Sequence, residues 1–157
     1  MPVTKTTSRS RATRKNSPRS CAAASALEVV GEKWALLALR EVFLEVRRFD
    51  RIVANTGAPR DVMAKRLKRL VDNGLLMRVR YSERPERYEY QLTEIGADIL
   101  PVLLTLTQWG EKHTVADDKS ASRWSHGCGS ELHLDLSCHT CRKSVDRHSV
   151  AYGSGTG

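Results

Sequence analysis

No long apolar run occurs anywhere in this chain of 157 residues. The longest, Ile99–Leu106, is interrupted by Pro101 and Thr105 and falls far short of the roughly 20 apolar residues of a transmembrane helix. The N-terminus lacks the apolar core of a secretory signal. It also lacks an amphipathic transit helix, because Val3 and Ala12 are the only non-polar residues beside Met1 and the prolines Pro2 and Pro18. A soluble, cytoplasmic protein with no membrane partner is the expectation. Enzyme signatures are missing too: there is no Gly-x-Ser-x-Gly elbow, no Gly-rich phosphate cradle and no His-Glu-x-x-His, so no catalytic activity is expected. Four cysteines are too few and too unevenly placed for a disulfide framework in a cytosolic chain, which leaves thiols or metal ligands. Acid is absent from residues 1–20, where Lys5, Arg9, Arg11, Arg14, Lys15 and Arg19 account for +6 of the net +8. The pI of about 9.6 therefore mostly describes a Ser/Thr/Arg tail that cannot bury apolar surface and is expected to be disordered.

What is present is organised. Ala23, Ala26, Leu27 and Val30 keep helical spacing up to Gly31, and Trp34–Phe43 is a second, strongly apolar helix. Arg47–Phe49 reads as a short extended piece, followed by a short helix with Asp50 as N-cap and Gly57 as terminator. In APRDVMAKRLKRLVDNG, Met63, Leu67, Leu70 and Val71 form one apolar stripe of a helix 60–73, with Pro59 at its first position. Arg60, Lys65, Arg66, Lys68 and Arg69 crowd the other faces against Asp61 alone, which is +4 in ten residues.

In LMRVRYSERPERYEYQL, apolar and polar residues alternate on both sides of Ser82–Arg87. Met77, Val79 and Tyr81 are expected on one face, paired with Leu92, Tyr90 and Tyr88, and the tip is expected to be a projecting mobile loop. TEIGADILPVLLTLTQWGEKH then reads as one long helix capped by Thr93, kinked at Pro101 and striped by Ile95, Ile99, Val102, Leu106 and Trp109. Helix, helix, short strand, helix, basic helix, hairpin, long helix is the order of a winged helix-turn-helix: mainly α, with a small β wing. In that arrangement helix 60–73 enters the major groove of double-stranded DNA and hairpin 77–92 is the wing. Arg60, Lys65 and Lys68 are the groove-facing candidates, Arg66 is a DNA-binding candidate as a phosphate contact or else a structural group, and Arg84 and Arg87 reach phosphates or the minor groove.

LEVVGEKWALLALREVF, RRFDRI, RLKRLVDNGLL, YSERPERYEYQLTEIG and LPVLLTLTQWGEKH, in this order, resemble the HxlR-type bacterial winged-helix regulators. The resemblance runs from Cys21 to His113. It implies a transcriptional regulator, a repressor in preference to an activator, acting as a homodimer on a roughly palindromic operator. It places the dimer contact on the first helix and the last, with Leu27, Leu103, Leu106 and Trp109 as interface candidates. It also implies that Cys21, at the start of the first helix, is either a sensor of an oxidant or electrophile, or a small buried thiol.

The boundaries expected are a tail at 1–20, the DNA-binding and dimerisation domain at 21–115, and a Cys/His-containing β-hairpin extension at 116–157 ending in a flexible YGSGTG. His126, Cys128, Cys138 and Cys141 are a candidate tetrahedral Zn2+ set, with His139 or His148 as substitutes. The alternative is a plain hairpin without metal; DNA binding itself calls for no cofactor. A competing reading makes the protein a zinc-ribbon-bearing interaction or RNA-binding module with the winged core as scaffold.

Overall fold

The computed structural model describes residues 21–114 and 124–151. The basic tail 1–20 and the final YGSGTG lie outside the described residues, as does segment 115–123. In chain order the elements are α1 (Ala22–Val30), α2 (Lys33–Phe43), α3 (Phe49–Thr56), α4 (Arg60–Asp72), β1 (Leu76–Glu83), β2 (Glu86–Leu92), α5 (Glu94–Ala97) and α6 (Leu100–His113).

The apolar spacing of each helix decides what packs. Ala35, Ala38, Leu39 and Val42 of α2 lie on one face and meet Ile52 of α3, Met63, Leu67 and Leu70 of α4, and Leu75 and Leu76 at the start of β1. The large aliphatic members are almost wholly removed from water, which stabilises the fold by about 1.5–3 kcal/mol for each. Among the described residues Glu41 is the buried charged side chain, 3% exposed. Its Oε1 accepts from Arg40 Nε and Nη2 at 3.0 and 2.7 Å, and its Oε2 accepts from Asn55 Nδ2 at 2.7 Å, so one satisfied carboxylate ties α2 to α3.

Several boundaries differ from expectation. The extended piece ends one residue early: Tyr90 N–H donates to Arg47 C=O at 2.8 Å, and Arg48 bridges Glu89. Arg48 therefore caps α3, and Asp50 lies inside its first turn. Pro59 is the N-cap of α4, with ψ 137, and not its first helical residue. Gly57 does terminate α3, at φ 69.

The wing pairs in a register one residue away from that expected. Leu76 faces Leu92, Arg78 faces Tyr90 and Arg80 faces Tyr88. Directly opposite residues share a face, so Leu76 goes to the core and Met77 and Tyr81 are exposed. A period-2 pattern admits two registers of opposite facing, and Leu76, buried beside Leu75, selects this one. A bulge at Tyr81 absorbs the extra residue, so Ser82 faces Arg87 and Glu83 faces Glu86. The tip is thus a tight two-residue turn at Arg84–Pro85, whose peptide is cis, and not a long loop.

The last helix is two. Thr93 Oγ1 accepts from Gly96 N–H at 3.0 Å and caps α5 as expected, but α5 ends at Ala97. Pro101 lies in the first turn of α6, where its missing N–H costs nothing, so the chain breaks ahead of the proline and is not kinked at it. Leu103, one of the interface candidates, is 4% exposed already within the single chain. The extension forms two small turns closed by the bridges Ser125–Glu131 and Ser137–Ser144, not one hairpin. Gln108 of α6 holds the segment between them, donating to Leu134 C=O at 3.0 Å and accepting from Leu134 N–H at 2.8 Å.

Candidate nucleic-acid interface

α3, the turn Gly57–Pro59 and α4 form a helix-turn-helix. Met63, Leu67 and Leu70 turn one face of α4 into the core, which leaves Asp61, Lys65, Lys68 and Asp72 on the opposite face in solvent. Lys65 makes no ion pair among the described residues, and Lys68 pairs with Asp72 at 2.5 Å. Arg60, at the first turn, pairs with Asp50 at 2.8 Å and lies 5.0 Å over the Phe49 ring, so two residues of α3 hold its guanidinium.

Two of the basic residues are spoken for. Arg66 pairs with Glu32 and keeps only 25% of its side chain exposed. Arg69 pairs with the same carboxylate at 3.2 Å and donates to Glu28 C=O. Both guanidinium groups lie on the side of α4 that faces the α1–α2 connection. Arg66, a candidate DNA contact, thus has a carboxylate partner within its own chain.

The wing presents Arg84 and Arg87 exposed, with no ion pair to either among the described residues. Arg78 covers the Tyr88 ring at 4.1 Å. The Tyr90 hydroxyl is pushed up from its ordinary value by burial. Between the wing and the start of α3 runs a groove of about 440 Å3 lined by Arg48, Phe49, Asp50, Arg51, Tyr81, Arg87 and Tyr88. Arg48 and Arg51 are functional candidates that sequence reasoning passed over. The Arg-Arg-Phe-Asp-Arg run was the available signal, since the first helix of a helix-turn-helix crosses the DNA backbone.

Residues 29–118 match the family model described as HxlR-like helix-turn-helix. The chain belongs to this family. It is an HTH-type transcriptional regulator, as are its relatives: the regulator Rv3095 of Mycobacterium tuberculosis is 41% identical over 133 residues, 84% of each chain. Among solved structures, the transcription factor PA1607 is similar over 87% of this chain and 96% of its own, with a TM-score of 0.77 and 28% identity. The redox regulator HypR in its oxidized form matches 61% of this chain and all of its own, with a TM-score of 0.56 and 26% identity. These proteins give no support to the interaction or RNA-binding reading.

Away from α4 and the wing, this HxlR-type chain leaves several large apolar side chains exposed. Leu27 of α1 is 61% exposed, Leu106 48% and Trp109 56%, and Ile95 and Val102 are exposed as well. Cys21 is the N-cap residue of α1, half-buried, with a free thiol. No described helix is long and apolar enough to cross a membrane.

The candidate zinc residues are not gathered. The turn holding His126 and Cys128 precedes Glu131 and the turn holding Cys138 and Cys141 follows Ser137, so segment 131–137 separates them. Among the described residues no three His, Cys, Asp or Glu side chains are placed to hold one metal ion. The Cys128 thiol is lowered to about 7, chiefly by the Ser130 backbone N–H and then by His126. The Cys138 thiol is lowered by the backbone N–H groups of Cys141 and Thr140.

Proposed function

We propose that this regulator acts as a homodimeric repressor that reads a roughly palindromic operator with α4 in the major groove. The observation that carries this reading is the exposed basic side of α4 beside the wing, with its other basic groups already engaged by Glu32 and Glu28. In it, Arg60, Lys65 and Lys68 contact base edges, and Arg84 and Arg87 with Arg48 and Arg51 contact phosphates. Two copies joined through α1, Leu106 and Trp109 place two α4 helices on one side of the duplex, and occupancy of a promoter then blocks transcription. No cofactor takes part in DNA contact.

Fluorescence anisotropy with DNA from upstream of the protein's own gene, against random DNA of equal length, tests this. A large specificity ratio that survives a chelator is expected; equal affinity for the two DNAs would sink the reading. A reporter whose expression falls when the protein is supplied would establish the sign of regulation. Cys21 joins the proposal as an oxidant-responsive position, because it opens the helix that lies in the proposed dimer contact. Oxidation that weakens operator binding in the wild type and not in Cys21→Ser would support it.

A further inference from the structure

The extension lies beyond the family match, which ends at residue 118, and carries a thiol pair of its own. Cys138 and Cys141 share one turn. Arg142 N–H donates to Cys138 C=O at 2.8 Å, and Cys138 N–H donates to Lys143 C=O at 2.9 Å. Arg142 takes a left-handed φ of 60, which lets the chain reverse directly after the second cysteine. The ends of such a turn lie within about 7 Å, the span a disulfide bridges. Cys138 opens this turn and Cys141 is its fourth residue, so a single reversal of the chain carries both thiols. Both thiols are free and exposed. A zinc ion needs about four ligands, and no third His, Cys, Asp or Glu among the described residues joins the pair.

We propose that Cys138 and Cys141 are an oxidisable dithiol that hydroperoxides close into an intrachain disulfide. The Cys138 sulfur attacks the terminal peroxide oxygen; the O–O bond breaks, and the leaving oxygen takes up a proton as water or alcohol. Cys138 is then a sulfenic acid. The Cys141 sulfur attacks it, the S–S bond forms, and hydroxide departs with the Cys141 proton as water. Two thiols lose two electrons, and one hydroperoxide is reduced. Four residues before Cys138 in the chain, Leu134 is clamped to α6 by Gln108.

Limiting hydrogen peroxide, added to the reduced full-length protein, tests the site. Free thiols should fall from four to two, peptide mapping should find Cys138 joined to Cys141, and dithiothreitol should reverse both. In Cys141→Ser, Cys138 should stop at the sulfenic acid and be trapped by dimedone. The wild-type map decides even if that variant fails to fold. The proposal is overturned if Cys21 or Cys128 takes the oxidant while the pair stays reduced, or if the disulfide links two chains. It is overturned equally if the purified protein retains stoichiometric zinc that shields the pair from thiol reagents.

Discussion

Arg66 and Lys65 are neighbours in sequence, and of the two Arg66 alone has an ion-pair partner among the described residues. Successive helical residues are rotated by about 100°, so Lys65 points away from the core while Arg66 swings back to Glu32. Lys65→Ala should leave the melting temperature unchanged and cost about 1–3 kcal/mol of operator discrimination if a base contact is lost. Arg66→Ala should do the reverse. It removes a partly buried ion pair of about 1 kcal/mol, which lowers the melting temperature by roughly 4–8 °C, while operator discrimination in the folded fraction is retained. Anisotropy and thermal melting on the two variants separate the roles; a loss of discrimination in Arg66→Ala equal to that in Lys65→Ala would contradict them. Asn55 belongs to the same scale. It is the partner of Glu41 Oε2, and Asn55→Ala should destabilise by about 1–3 kcal/mol because a buried carboxylate oxygen is left without a donor.

At the scale of elements, α5 and the wing depend on one close approach. A Cβ on Gly96 would sit 1.9 Å from the Leu75 carbonyl oxygen, at the point where Thr93 also bonds Gly74 C=O at 2.6 Å. Gly96→Ala should therefore cost about 1–3 kcal/mol or more, read as a lower urea midpoint; an unchanged midpoint would mean that α5 is not seated as described. Arg84→Ala and Arg87→Ala should weaken binding to every DNA sequence alike, and each should reduce the salt slope by about one unit. Identical slopes would remove the wing from the phosphate contact. The elements themselves were legible in the sequence, because apolar spacing and the Gly57, Asn73-Gly74 and Thr93 signals are local. The wing's register was not. Its alternation fits either facing, and the choice rests on Leu76 meeting α2 and α4, residues distant in the chain.

At the scale of the molecule, the exposed Leu27, Leu106 and Trp109 oppose the buried Leu103. Leu106→Glu should turn a dimer into a folded monomer in sedimentation, since it places a charge in the proposed contact and leaves the chain's own core intact. Leu103→Ala should instead destabilise the chain by about 2–5 kcal/mol through a cavity. A monomeric wild type at micromolar concentration would refute the dimer. Neighbouring turns of α6 thus serve two different surfaces.

The order of helices, the basic character of α4, the Gly57 terminator, the Thr93 cap and the place of the hairpin follow from the sequence by itself, because each depends on residues within a few positions of one another. Three things waited for the tertiary structure. Arg66 and Arg69 are engaged because α1 and α2 bring Glu28 and Glu32 to them across more than thirty residues. Leu103 is core while Leu106 is surface, although both fit one helical stripe. Four metal-like ligands remain two separate turns, because each bridge in the extension closes its own end of segment 131–137. Spacing along a chain states which groups are able to meet. Which of them do meet depends on contacts between distant segments, and no local pattern encodes those.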